Sequence, residues 1–218
     1  MTDIIAEFGS NPAPPFWTGK TLTLDKTASA YAPHLKRAWD LEAYVKAAAL
    51  AGATMCKVQV FRAEHFPEWA QAEKRRVEFP RERLGEFARL AHAYGMAAGA
   101  SVFDEEAVEL CARELDFLKL AAREQENYEL NCAVQRTNKK FYRSVSRFEP
   151  LSDYGYILNG EILWAIQKYP VGMLEALAHL IRWVLFCKWH KLSFGWSSHT
   201  SGDLDCVLAA RLGASVVE

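Results

Sequence analysis

Short apolar runs that end on a polar or charged residue alternate with amphipathic segments along nearly the whole chain, and this alternation constrains its fold most. The apolar runs fall at residues 3–7, 55–61, 97–103, 117–121, 140–144, 162–166, 192–197 and 214–217. Helical patterns occupy 40–51, 81–94, 105–113, 128–135, 172–189 and 203–212. Asp40 is placed to cap the first helix, in which Leu41, Tyr44, Val45 and Ala48 share an apolar face. Gly52 and Gly95 stop the first and second. Residues 9–33 read as a Pro-rich, polar excursion, and 64–76 as a charged connection. Residues 146–161 read as loop, because Pro150, Gly155 and Gly160 interrupt any helical period.

Strands that alternate with helices are joined in parallel by crossover connections. Eight of them predict an α/β chain folded as a (β/α)₈ barrel in a single domain spanning 1–218. With 218 residues it is shorter than the usual barrel of about 250, having a weak or missing fifth helix and no eighth. A doubly wound open sheet is the alternative. Its dinucleotide-binding form opens on a Gly-rich turn, and Gly9-Ser10-Asn11-Pro12 is not one.

Composition narrows the partners. Lys plus Arg is 26 and Asp plus Glu is 27, a net charge of −1, which excludes a general nucleic-acid binder. Hydrophobic residues at 50% exclude a largely disordered chain. The five cysteines form no CxxC pair, which argues against a disulfide framework or structural zinc and for a reducing, cytoplasmic setting. No signal-peptide pattern opens the chain. The most apolar stretch, 174–186, is interrupted by Glu175, His179 and Arg182 and is too short to span a bilayer, so no membrane partner is expected.

In such a barrel, catalytic groups sit at the C-terminal ends of the strands and in the loops that follow. Those positions hold Glu7, Lys57, Gln59, Ser101, Asp104, Lys119, Glu124, Ser144, Gln167, Tyr169, Ser197, His199 and Glu218. Two lysines, several hydroxyls and a histidine at one mouth predict a basic, donor-rich pocket for a phosphate or carboxylate. The plainer reading is structural. Lys57 pairs with a carboxylate such as Glu7, Lys119 does likewise, and Ser101 and Ser144 satisfy backbone groups. His199 is then a surface residue. His34, His65, His92, His179 and His190 have no carboxylate or Cys at ligand spacing, and Lys74, Arg75 and Arg76 read as a solvated face.

Several segments, in order, resemble the N-acetylneuraminate (sialic acid) synthase family. Ile5-Ala6-Glu7-Phe8-Gly9-Ser10-Asn11 is similar to that family's Ile-Ala-Glu-Ile-Gly-x-Asn. Ala51-Gly52-Ala53 through Lys57-Val58-Gln59 resembles its Gly-Ala-Asp-x-x-Lys-Phe-Gln strand. Ser101-Val102-Phe103-Asp104 resembles Thr-Pro-Phe-Asp, and Leu118-Lys119-Leu120-Ala121 resembles Lys-Ile-Ala-Ser. Tyr169-Pro170, Gly195-Trp196-Ser197-Ser198-His199-Thr200 and Gly213-Ala214 through Glu218 resemble its later motifs.

The resemblance implies condensation of phosphoenolpyruvate with N-acetylmannosamine or a related aldose, assisted by manganese or magnesium. Carried over by position, it implies that Lys57, Ser101, Lys119, Ser144, Gln167 and Ser197 hold phosphoenolpyruvate. Glu7, Gln59, Glu124 and Tyr169 face the sugar, with Glu7, Lys57, Lys119 and Glu124 as the catalytic set. His199 is the metal ligand, with Glu7, Glu218 or water completing the coordination. The sequence also departs from the family. Ala122 and Ser198 replace a Ser and an Asp, Gln167 replaces an Asn, and Ser144-Val145-Ser146 replaces Ser-Thr-Gly. Pro12-Ala13-Pro14 replaces His-Asn-Gly, and the second metal His and the C-terminal antifreeze-like domain do not follow Glu218. A non-catalytic binding or assembly protein on the same barrel is the alternative. A third reading is an aldolase using Lys57 or Lys119 as a Schiff base. Apolar surface left by the missing helix predicts a homodimer or higher oligomer.

Overall fold

The computed structural model describes residues 1–8, 40–148 and 160–218. Eight parallel strands close into one barrel in chain order. They are β1 (Asp3–Phe8), β2 (Met55–Val60), β3 (Ala97–Val102), β4 (Phe117–Leu120), β5 (Lys140–Val145), β6 (Gly160–Ala165), β7 (Gly195–Ser197) and β8 (Val216–Val217). Asp3 pairs with Val216 and Ile4 with Val217, which closes the barrel and excludes the open sheet. The helices are α1 (Leu41–Leu50), α2 (Glu68–Val77), α3 (Leu84–Ala93), α4 (Glu105–Glu114), α5 (Tyr128–Arg136), α6 (Met173–His190) and α7 (Leu204–Arg211).

Local chemistry explains the starts and stops. The side chain of Asp40 accepts from the Ala43 amide at 3.2 Å, Asp104 from Ala107 at 2.6 Å and Asn127 from Leu130 at 3.1 Å, so three helices begin on a side-chain cap. Gly52 and Gly95 take φ of 84° and 73° beyond α1 and α3, a left-handed backbone that a side chain would strain.

Two sequence readings change. Residues 64–76 are not a bare connection: a 3₁₀ turn (Ala63–His65) leads into α2. That helix buries only Ala70 and Val77 of its apolar residues, with Trp69 exposed and charges at Glu68, Lys74, Arg75 and Arg76, too thin an apolar footprint to show as a 3.6-residue period. Strand β6 begins at Gly160, inside the span read as loop; the rest of that span from 149, the expected weak fifth helix and the excursion at 9–33 lie outside the described residues.

Parity along the strands builds the interior. Ile5, Met55, Phe117, Tyr142, Leu163 and Val216 pack together as one apolar layer inside the barrel. Side chains alternate across a strand, so residues two positions on point to the same side. Those residues are Glu7, Lys57, Lys119, Ser144, Ala165 and Glu218, and the interior turns from apolar to polar in a single step. Outside, α1 and α3–α5 cover the first strands in one buried cluster, and α6 and α7 cover the last in another.

Gly99 faces Phe117 so closely that a Cβ would enter the ring's van der Waals envelope. Gly99→Ala should therefore cost roughly 1–3 kcal/mol by overpacking. Urea unfolding checks this: the midpoint of Gly99→Ala should fall and partly recover when Phe117→Leu is added. An unchanged midpoint for the single variant would contradict the layer described.

Candidate active site

Strand register places Glu7 beside Lys57 and Ser101 beside Lys119. Lys57 is fully buried, and its ammonium lies 2.7 Å from the Glu7 carboxylate, 2.7 Å from Glu218 and 2.9 Å from Ser101 Oγ, which accepts from it. Three partners match three N–H groups, so Lys57 has no donor left for a ligand. Lys119 Nζ lies 3.1 Å and 2.8 Å from the two oxygens of Glu218. One buried carboxylate thus joins two ammoniums from β2 and β4. Gln59 donates its amide to the other oxygen of Glu7.

The electrostatics follow from these contacts. Burial opposes ionisation of Glu218, but Lys119 and Lys57 outweigh it and hold the carboxyl well below the usual carboxylate range. Burial also works against the charge of Lys57, and Glu218 and Glu7 raise its pKa all the same.

The plainer sequence reading was right for the pairing of Lys57 with Glu7, and the expected basic pocket is corrected: its lysines are matched by carboxylates, because a buried cation must be paired. The role of Glu218 was the larger omission. It stands at a strand end in the sequence, but only closure of β8 on β1 and β7 carries it across the interior.

The hydroxyls fare differently. Ser144 Oγ is fully buried and has no hydrogen-bond partner among the described residues. Ser197 is buried as well. Gln167 is exposed and donates to Ser146 Oγ at 2.7 Å, outside the buried layer. Glu124 sits in the 3₁₀ turn after β4 (Ala122–Glu124), where Arg123 Nε at 3.0 Å and Asn127 at 3.0 Å hold its oxygens. Asp104 caps α4 and pairs with Arg81 at 2.9 Å.

His199 lies in the loop after β7. Buried Asp205 fixes that loop, accepting from Trp196 Nε1 at 2.7 Å and from Thr200 Oγ1 at 3.0 Å. His199 Nδ1 is 2.5 Å from the Ile166 carbonyl, which can only accept, so Nδ1 carries the proton. Nε2 then accepts from the Tyr169 hydroxyl at 2.6 Å, and the two rings stack with centroids 3.9 Å apart. Burial lowers the His199 pKa. Burial of its hydroxyl end and the carboxylates of Glu7 and Glu218 push Tyr169 up to about 12, although 74% of the residue is open to solvent.

This donor set does not fit the expected metal. The free lone pair of His199 is taken by Tyr169, and the carboxylates of Glu7 and Glu218 are bound to lysines. Among the described residues, no three His, Cys, Asp or Glu side chains come together as a cation site.

The family model described as the NeuB family matches residues 44–218. No curated protein matches the chain. N-acetylneuraminic acid (sialic acid) synthetase from Leptospira borgpetersenii serovar Hardjo-bovis superposes with a TM-score of 0.79 at 20% identity, over 100% of this chain and 72% of that one. The spore coat polysaccharide biosynthesis protein of Bacillus subtilis gives 0.70 at 23%, over 100% and 58%. A truncated 3-deoxy-D-arabino-heptulosonate 7-phosphate synthase from Thermotoga maritima gives 0.61 at 16%, over 99% and 73%. At these identities the likeness is one of fold, and the chain spans 58–73% of the length of these three structures. No helix among the described residues is long and apolar enough to cross a membrane.

The charge cluster sets a pH dependence. The depressed Glu218 pKa gives stability that is present above the unfolded value of about 4.3 and lost as pH falls through the folded value. The raised Lys57 pKa gives stability present below about 10.4 and lost as pH rises through the folded value. Thermal midpoints should therefore plateau between these limits. Lys57→Met takes one of its two ammoniums from buried Glu218 and leaves half-buried Glu7 without its cation, and should lower stability across the plateau by about 3 kcal/mol. A Lys57→Met midpoint equal to wild type would show that the cluster does not hold the barrel.

Proposed function

Because the chain belongs to the NeuB family, we propose that it condenses phosphoenolpyruvate with the open-chain aldehyde of an N-acetylmannosamine-like amino sugar, giving a sialic-acid-type nonulosonic acid and phosphate. The observation that carries this reading is the buried Ser144 hydroxyl, without a partner among the described residues, on the strand next to Lys119 and inside the polar layer. A buried hydroxyl without a partner costs free energy unless a ligand completes it.

Lys119, with Ser144 and Ser197, holds the donor's anionic end. C3 of the enolpyruvate forms a bond to the aldehyde carbon, and the aldehyde oxygen takes up a proton. Water adds at C2, the bond from C2 to the phosphate oxygen breaks, and phosphate leaves a 2-keto acid. Tyr169 stands at the mouth with its one O–H given to His199 Nε2, so its phenol oxygen is left to accept from a hydroxyl of the sugar. Glu7 and Gln59 offer an acceptor and a donor to the sugar's hydroxyl and amide groups. A Schiff-base lysine needs a depressed pKa, and Lys57 has the opposite, which argues against Lys57 in the aldolase role.

The reading extends to assembly and place. We assign a reducing cytoplasm, which suits five free cysteines. We also assign a homo-oligomer, which would cover the exposed Leu174, Ile181, Leu185 and Trp189 of α6.

Calorimetric titration with phosphoenolpyruvate tests the site. Wild type should bind, and Lys119→Met, which keeps the stem and deletes the charge, should lose about 2 kcal/mol, roughly thirtyfold in affinity. Ser198→Ala should bind as wild type does, because Ser198 bonds Thr200 within its own loop. Equal affinity in Lys119→Met would remove Lys119 from the site. Tight binding with no phosphate release on adding any aldose would favour the non-catalytic alternative.

A further inference from the structure

The charges inside the barrel cancel. Glu7 and Glu218 bring two negative charges, Lys57 and Lys119 two positive ones, and they are in contact. A phosphoryl group adds up to about two negative charges at neutral pH to an interior whose net charge is zero. Lys57 has no N–H to spare, and Lys119 shares its own with Glu218. Further positive charge must come from the rim.

Arg123 stands there, in the turn after β4. Its guanidinium carbon lies 4.7 Å from the centre of the Phe66 ring and 4.4 Å from that of Phe103, residues of the loops that follow β2 and β3. Both distances are within the range in which an aromatic face attracts a cation. Two neighbouring loops therefore hold this side chain in place, while 44% of it stays open to solvent. Its Nε is bound to Glu124, and the two terminal nitrogens have no partner among the described residues. The turn that carries Arg123 follows β4, the strand of Lys119, and the guanidinium's positive field reaches the Tyr169 phenol.

We propose that Arg123 binds the phosphoryl group of the substrate at the barrel mouth through its two terminal nitrogens, above the layer formed by Lys119 and Ser144. The assignment rests on the function proposed above, and it adds a residue that the family resemblance does not supply. A guanidinium suits the task better than an ammonium, because its planar fork meets two oxygens of a phosphate at once and stacks on aromatic faces without losing them. The phosphoryl group has two possible sources, the enolpyruvate donor and a phosphorylated aldose acceptor.

Equilibrium titrations of the full chain separate the possibilities. The probes are phosphoenolpyruvate, inorganic phosphate, and mannose with and without a 6-phosphate, each against wild type, Arg123→Gln and Arg123→Lys. Thermal midpoints confirm that the variants fold. Should Arg123→Gln not fold, Arg123→Lys, which keeps the charge and loses the fork, reads the same loss in smaller measure.

Arg123→Gln should weaken phosphoenolpyruvate and inorganic phosphate together by tenfold or more if the donor supplies the group. If the acceptor supplies it, the variant should instead lose the preference for the phosphorylated sugar and leave phosphoenolpyruvate unchanged. Wild type that binds phosphoenolpyruvate with every affinity unmoved in both variants overturns the role of Arg123 and leaves the proposed function standing. Arg123-dependent binding of inorganic phosphate without any binding of phosphoenolpyruvate overturns the function and supports Arg123. No binding of any probe by folded wild type overturns both.

Discussion

One buried carboxylate between two buried ammoniums organises this barrel. Glu218 leaves the end of β8, lies within 2.7 Å of Lys57 and 2.8 Å of Lys119, and thereby ties β8 to β2 and β4 across the interior. None of these charges is tolerable alone out of water, so each specifies the position of the others. The apolar layer beneath sets their height, and the register between β1 and β2 brings Glu7 in as the fourth member. The polar end of the barrel is therefore a rigid array, in which a ligand meets groups already oriented before it arrives.

That rigidity divides the labour among the cations. Lys57 is saturated by Glu7, Glu218 and Ser101, and it serves the fold first. Among the described residues, Lys119 is held by one carboxylate, and Ser144 on the adjacent strand has a hydroxyl without a partner. Arg123 adds charge from a loop, fixed by stacking rather than by the strand ladder. A neutral interior with its spare donors toward the rim admits an anion without leaving a bare cation when the site is empty. The buried Asp205 does comparable work for the β7 loop, fixing Trp196 and Thr200 on either side of His199.

The sequence made the barrel legible because the strands are short and mostly apolar and most of them are followed by a helical period, and closure then follows from the count. The interior positions of Lys57, Lys119 and Ser144 were legible for the same reason, since a polar residue on the inner face of an apolar strand needs a purpose. Glu218 as the bridge was not, because its partners are distant in sequence and meet it only after the sheet closes. Arg123 was not legible either, since nothing in a loop of mixed charge says that two rings from other loops will hold it. Glu124 and Gln167 were read from their places beyond strand ends and from the resemblance, and local partners, Arg123 with Asn127 and Ser146, engage them. Helix α2 escaped notice because only Ala70 and Val77 mark its buried side.

The central claim is that this array handles phosphoenolpyruvate as the donor in a carbon–carbon condensation that breaks the bond between C2 and the phosphate oxygen. Phosphorus NMR with phosphoenolpyruvate carrying heavy oxygen at the bridging position tests it most directly. The account predicts that labelled phosphate appears only when an amino-sugar aldehyde is present, and that its appearance is lost in Lys119→Met. Unlabelled phosphate, release without any aldose, or no release with any aldose would contradict it.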